Sequence, residues 1–348
     1  MKGKSWLSVF LVLIMTVFTV ACSSVDEQEV QKEIDDGKIQ IGICFDSYLI
    51  ERWERDRDVF VSRAKELGAE VNVQNANGDP LEQIARIEYF IEKEVDVIVI
   101  VSIDSDGLSE VVQKAKDKGI VVIAYDRMIH NANVDLYVSF DNEMVGTMMG
   151  EAMVEQGMPH KKVLMLAGPT SDSNVELLNR GFMQVMEQNG VEVVDIMHAD
   201  GWRPEYASDY IYNHEFVLNE VDGIMCGNDS LATHTVRVLA EKRKAGSIYV
   251  TGQDADLEAC QRVVEGTQLM TVYKPVEKQA AAAAECAVAM AKEEAPLGVN
   301  ATVSDGTYDI PSIILEPIAV NKDNIDEVII GNGFHTYDEV YLNVANEQ

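Results

Sequence analysis

Several short apolar runs in this chain stop abruptly at side chains that make strong hydrogen bonds. Ile120-Val121-Val122-Ile123-Ala124-Tyr125 runs straight into Asp126-Arg127, and similar endings occur at Asn228-Asp229, Gly252-Gln253-Asp254 and Tyr273-Lys274. A carboxylate beside a fork of fixed donors suits a ligand dense in hydroxyls, because charge-assisted hydrogen bonds are the strong ones. Taken alone, Asp126-Arg127 reads equally well as a helix cap followed by a solvated arginine. The recurrence favours a binding edge. Trp53 and Trp202 stand near predicted strand ends, within Glu51-Arg52-Trp53 and Asp200-Gly201-Trp202. Either indole alone reads as core. A pair of them among Asp, Asn, Arg and Lys suits a sugar ring, with indoles on its C–H faces and polar groups on the hydroxyls in its plane.

Glycoside hydrolysis is the competing chemistry, since it needs only two carboxylates about 5–10 Å apart. Asp126, Asp229 and Asp254 offer them, with Asp254 and Asp229 as the acid and base of a sugar-processing enzyme. An acid catalyst needs its pKa raised by an apolar pocket. Arg127, next to Asp126, would instead lower that carboxyl's pKa and hold it ionised. This favours binding over catalysis. No GxGxxG or phosphate-loop pattern follows a strand and no GxSxG elbow is present, so nucleotide cofactors and serine hydrolysis lack their motifs. His214-Glu215 opens like a zinc-protease motif, but Leu218 stands where the second histidine belongs. The six histidines are scattered, and neither a metal nor a cofactor is expected.

These positions need a scaffold, and the chain is long enough to build two domains. It has 348 residues and a formal charge of −31. Nucleic-acid binding is disfavoured, because phosphate contacts need clustered Lys and Arg. The N-terminus reads as a targeting segment: Lys2 and Lys4, then an apolar run from Trp6 to Ala21. That run is short for a membrane span, which takes about 20 residues. It ends in Thr19-Val20-Ala21-Cys22-Ser23-Ser24, which resembles a bacterial lipoprotein signal with Cys22 as the lipidated residue. Thr19 stands where Leu or Val is usual, and an ordinary cleaved signal peptide is the alternative. Residues 1–21 are thus expected to be removed, 22–38 to form a lipidated acidic tether, and the mature chain to work outside the cytoplasm. Cys44, Cys226, Cys260 and Cys286 show no CxxC spacing and read as buried structural thiols.

From Ile39 onward, β-branched runs alternate with helical stretches, the pattern of parallel βαβ units. Strands are predicted at Ile39–Phe45, Glu70–Gln74, Val95–Val101 and Ile120–Tyr125 in the first half. In the second half they are predicted at Lys162–Ala167, Val191–Met197, Gly223–Cys226, Ile248–Val250, Leu269–Val272 and Ile313–Ile318. Helices fall between them, including Trp53–Leu67 closed by Gly68 and an alanine-rich one over Gln279–Ala291. Gly146 and Gly150 read as small residues that let a helix pack closely. Two doubly wound parallel-sheet lobes follow. Ligands of such sheets dock at the carboxyl ends of the strands, where the polar groups stand.

The chain resembles the type I periplasmic sugar-binding family, in its xylose-binding branch. The matching runs include Leu49-Ile50-Glu51-Arg52-Trp53, Asp56-Arg57-Asp58, Ala76-Asn77-Gly78, Ala124-Tyr125-Asp126-Arg127-Met128 and Ser139-Phe140-Asp141-Asn142. Further on come Gly252-Gln253-Asp254-Ala255-Asp256, Thr271-Val272-Tyr273-Lys274-Pro275 and Gly333-Phe334-His335, so the match spans nearly the whole mature chain. The resemblance implies an α/β fold of two lobes joined by a three-strand hinge and closing on one sugar. The first lobe is expected to comprise 39–142 and 275–306, the second 143–274 and 307–348. Carried over position by position, Arg52, Trp53, Asp126 and Arg127 are contacts of the first lobe. Asn174, Trp202, Asn228, Asp254 and Lys274 face them, with Asp172 and Asp141 as further candidates. The expected ligand is a monosaccharide, D-xylose or a close aldopyranose. The expected partner is an ABC permease, with a membrane sensor kinase or chemoreceptor as the alternative and the protein itself a monomer. A transcription regulator of the same fold is disfavoured, because it would begin with a basic helix-turn-helix rather than a signal segment.

Overall fold

The computed structural model describes residues 37–344. Cys22, the signal segment and nearly all of the acidic tether lie outside the described residues. Thirteen strands form two sheets among them. In chain order the first five are β1 (Gln40–Phe45), β2 (Glu70–Asn75), β3 (Val97–Ile100), β4 (Val121–Tyr125) and β5 (Leu136–Phe140). The next five are β6 (Lys162–Ala167), β7 (Glu192–His198), β8 (Gly223–Cys226), β9 (Tyr249–Gln253) and β10 (Met270–Tyr273). β11 (Ala301–Ser304), β12 (Asp309–Leu315) and β13 (Ile318–Val320) follow. One sheet has the order β11-β12-β5-β4-β3-β1-β2, the other β13-β10-β9-β8-β6-β7. Each is parallel except for one edge strand, β11 in the first and β13 in the second. The chain therefore has the two-lobed architecture of a type I periplasmic binding protein. β3 (Val-Ile-Val-Ile) is buried at every position, as a central strand covered by helices on both faces must be.

The helices that matter to the site are α1 (Arg52–Glu66), α2 (Pro80–Glu92), α3 (Ser109–Asp117), α4 (Asn142–Glu155) and α5 (Ser173–Gln188). The second half adds α6 (Glu205–Asn213), α7 (Asp229–Glu241), α8 (Leu257–Glu265) and α9 (Val276–Ala291). Asp79 caps α2 by accepting from the Leu81 amide at 2.8 Å, with Pro80 in the first turn as the sequence suggests. Helices α1 and α9 pack on one face of the first sheet, while α4 and α5 pack against each other on the second. The chain crosses between sheets after β5 and after β10.

The third crossing corrects an expectation. The anticipated boundary at 306/307 would place all of 307–348 in the second lobe, but β12 pairs in parallel with β5 of the first sheet. β13 is the segment that joins the second sheet, against β10. The expected Ile313–Ile318 strand is thereby divided at Glu316-Pro317. Proline has no amide hydrogen to continue a ladder, so the chain changes sheets there.

Close helix packing in the second lobe rests on two glycines. A Cβ on Gly146 of α4 would lie 1.9 Å from the Leu178 carbonyl oxygen, and one on Gly181 of α5 would lie 2.0 Å from that of Glu143. Both obstacles are backbone, so the helices would have to separate. Gly146→Ala is expected to cost at least about 1 kcal/mol, seen as a lower midpoint in urea unfolding. An unchanged midpoint would show that the two helices slide apart freely. The four described cysteines are free and buried.

Candidate functional site

The two sheets aim their carboxyl edges at a shared pocket whose empty space of about 290 Å³ is partly open to solvent. Its wall includes Arg52, Trp53, Asp126 and Arg127 from the first lobe, and Asp172, Asn174, Trp202, Asn228, Asp254 and Lys274 from the second. Ile50 and Gln253 complete it.

A shared local device presents the two central carboxylates. Asp126 follows β4 and Asp254 follows β9, and both have positive φ, 66° and 98°. Each donates its amide to a valine carbonyl of the neighbouring strand, Val138 and Val272, at 2.8 Å. The strand then breaks at the carboxylate rather than running on. A non-glycine residue in this region is uncommon and costs about 1–3 kcal/mol, a strain that concentrates at functional sites. Two other wall residues are helix caps: Asp172 accepts from the Asn174 amide at 3.0 Å and Asn228 from the Leu231 amide at 2.9 Å. The N-termini of α5 and α7 thus open toward the cavity.

Arg52, 4 % exposed, organises the first-lobe wall. Its guanidinium takes both oxygens of Asp56 (3.2 and 3.1 Å), Gln279 Oε1 (2.6 Å) and Asp126 Oδ2 (3.1 Å). Arg127 does not pair with Asp126. It binds Asp46 Oδ2 and the Ser102 carbonyl, both at 2.8 Å, and reaches across the cleft to Asp172 Oδ2 at 2.6 Å. Both guanidinium carbons lie over the Trp53 ring, 4.6 Å away for Arg52 and 5.6 Å for Arg127, within cation–π range. The Trp202 indole lies against Gly168, where a Cβ would come within 2.3 Å of the ring, and donates Nε1–H to Asp172 Oδ2 at 3.0 Å. Asp254 pairs with Lys274 at 2.8 Å, and Arg52 stands 3.9 Å away.

Burial pushes the carboxyls of Asp46, Asp56 and Asp172 above their ordinary value in spite of their arginine partners. Asp126 goes the other way. Burial raises it too, but Arg52, Lys274 and Arg127 together hold it below the usual carboxylate value. The expectation of an ionised Asp126 stands, with Arg52 rather than its sequence neighbour as the main cause. Of the alternative acid–base pair Asp254 and Asp229, Asp229 does not line the cavity. Gln268 Nε2 at 2.9 Å, Thr271 Oγ1 at 2.6 Å and the Asp256 amide at 3.1 Å occupy its carboxylate. Among the described residues, no group of three or more His, Cys, Asp or Glu could hold a metal ion.

Of the eleven expected site residues, only Asp141 lies outside the wall. It caps α4 instead, accepting from the Met144 amide at 2.9 Å. Capping by itself does not keep a residue from the wall, since Asp172 and Asn228 do both; Asp141 serves only the helix start. Sequence reasoning missed Gln253, Ile50 and the support behind Arg52 and Arg127. Asp46 carried a usable signal, an apolar strand ending in a carboxylate like that at Asp126. Gln279 carried only a weak one, as a lone amide in an alanine-rich helix.

Four polar atoms of the wall lack a protein partner: Trp53 Nε1, Asn174 Oδ1, Asn228 Nδ2 and Gln253 Oε1. Buried polar groups are nearly always satisfied, so a wall with two unused donors and two unused acceptors suits a small polyhydroxylated guest. Contacts across the cleft place the lobes in a closed arrangement. Besides Arg127–Asp172, Asn174 Nδ2 donates to Asp126 Oδ1 at 3.0 Å and the Ser105 amide to the Ser171 carbonyl at 2.9 Å.

Two α/β lobes around a polar, indole-walled cavity have the form of a solute-binding protein. Residues 41–295 match the family model described as periplasmic binding protein domain, and the chain belongs to the type I periplasmic sugar-binding family. It is 40% identical over 346 residues to the D-xylose-binding periplasmic protein of Haemophilus influenzae, covering 98% of this chain and 100% of that one. The protein of the same name from Escherichia coli is also 40% identical, over 87% of this chain and 93% of its own. Among solved structures, an ABC transporter solute-binding protein from Clostridium phytofermentans with bound β-D-glucose superposes with a TM-score of 0.78. It is 29% identical and covers 86% of this chain and 99% of its own. The family to which the chain belongs is one of binding proteins.

Proposed function

We propose that this chain captures a single aldopyranose, D-xylose first among them, between its lobes and delivers it to an ABC importer. It does so from the outer face of the cytoplasmic membrane, anchored through Cys22. The observation that carries the reading is the set of unpartnered donors and acceptors in a cavity walled by Trp53 and Trp202. Xylose-binding relatives at 40% identity support the choice of sugar. A sugar that bonds Asp126 and Asp254 together does so only when the lobes meet, so it shifts the open–closed equilibrium by that differential affinity. A micromolar site requires about 8 kcal/mol. Several charge-assisted bonds of about 1.5–3 kcal/mol each, less the ordering cost, reach that figure.

Calorimetry with D-xylose, ribose, arabinose, glucose and galactose tests the ligand. D-xylose is expected to bind most tightly, and small-angle scattering is expected to show a smaller radius on its addition. Ribose or galactose binding more than tenfold tighter would overturn the pentose assignment. An unchanged radius at saturation would overturn closure. Isolation of the importer with the membrane-bound protein tests delivery; recovery of a histidine kinase alone would replace it with sensing.

A further inference from the structure

The turn that presents Asp254 has two consecutive non-glycine residues at positive φ, Asp254 at 98° and Ala255 at 55°. Neither conformation is one that L side chains favour. Side chains from three separate places grip its backbone. Thr271 Oγ1 accepts from the Ala255 amide at 3.2 Å, and Asp229 Oδ2 accepts from the Asp256 amide at 3.1 Å. The third grip comes from the far end of the chain. His335, 8 % exposed, lies with Nε2 2.8 Å from the Ala255 carbonyl oxygen. Because the acceptor is a carbonyl, Nε2 carries the hydrogen. Burial lowers the pKa of this imidazole, which favours the neutral ring.

The neighbouring residue ties the same segment to the opposite lobe. Phe334 packs with Ala255, Cys260 and Tyr273 of the second lobe, while its carbonyl accepts from Arg55 Nη2 of α1 at 2.9 Å. The Arg55 guanidinium also sits 4.0 Å over the Phe334 ring. One short stretch, Phe334-His335, thus touches both the first-lobe helix that carries Arg52 and Trp53 and the backbone that aims Asp254.

We propose that His335 is a positioning residue for the sugar site: it holds the strained Asp254–Ala255 turn in the geometry that directs the Asp254 carboxylate into the cavity. Through Phe334, lobe closure reinforces that hold. This rests on the sugar-receptor reading for its effect on affinity, but not for its effect on the turn. Without the His335 bond, the Ala255 carbonyl keeps, among the described residues, only a sulfur contact from Cys260 at 3.5 Å. The turn can then relax toward ordinary φ, carrying Asp254 away from Lys274 and the cavity.

The full-length protein, His335→Ala and His335→Gln should be compared by D-xylose calorimetry and by hydrogen exchange of the segment 249–256 without sugar. Glutamine places an amide N–H where Nε2–H stands and is the conservative rescue. His335→Ala is expected to bind about tenfold more weakly, the worth of one buried hydrogen bond, and to exchange faster at 255–256. His335→Gln is expected to restore both. Unchanged exchange in His335→Ala overturns the proposal. So does equal loss in both variants with equally lowered melting temperatures, which marks the imidazole as packing alone. If the unsubstituted protein binds no D-xylose, the receptor reading fails while the exchange comparison still decides the role of His335.

Discussion

Replacing Arg52 by alanine is expected to lower both affinity for D-xylose and stability by more than any other single change in the wall. The guanidinium holds Asp56, Gln279 and Asp126 at once, with Asp254 close by. Removing it leaves Asp56 and Asp126 as buried carboxylates without their main counter-charge. Breaking a buried pair from one side costs about 3–5 kcal/mol of stability. Truncating such a pair at a binding site costs about 2–5 kcal/mol of affinity, a fall of roughly thirtyfold to several thousandfold. Arg52→Lys keeps the charge but replaces the bidentate fork with a single ammonium, so it is expected to fall in between. Differential scanning calorimetry and sugar titration read the two effects separately. Full-affinity binding by the alanine variant would show that Asp126 does not depend on Arg52 for its orientation. Asp126→Ala, correspondingly, removes one partner of Arg52, which keeps Asp56 and Gln279, and leaves Arg127 its pairs with Asp46 and Asp172.

Gly168→Val is the second substitution expected to act strongly, and it acts without touching a polar group. The Trp202 indole rests on Gly168, and even a Cβ there would stand 2.3 Å from ring carbons. The ring is rigid, so it must swing toward the cavity, taking Nε1–H away from Asp172. That fills the space meant for the guest and removes a donor from the carboxylate that also receives Arg127 across the cleft. A lost bond to a charged group and an overfilled site together predict roughly a hundredfold weaker binding of D-xylose. Far-UV circular dichroism is expected to stay unchanged, because Gly168 lies just past the end of β6. Binding at full strength would mean that Trp202 is wall rather than contact.

Much of this protein is legible in its sequence, because the signals that matter are local. Apolar β-branched runs specify buried parallel strands through their composition alone, and Lys162–Ala167 and Gly223–Cys226 match the predicted strands residue for residue. Where such a run ends in a charged or strongly polar side chain, that group must come out at the sheet edge, which is why Asp126, Asn228, Asp254 and Lys274 are recognisable as one set. What pairs with what across the cleft was decided only by the tertiary structure. Adjacent side chains leaving a strand point in different directions, so Asp126 and Arg127, neighbours in the chain, face different partners. Arg52 meets Asp126 from a separate helix and Gln279 from another one still. Asp141 carries the same kind of strand-end carboxylate and caps α4 just as Asp172 and Asn228 cap α5 and α7, yet only the latter two line the cavity, a difference of position that the strand-end pattern does not encode. The passage of the chain from β12 to β13 at Pro317 follows the same logic. Hydrophobic patterning says that a strand is buried, but only its pairing with β5 or with β10 says in which lobe.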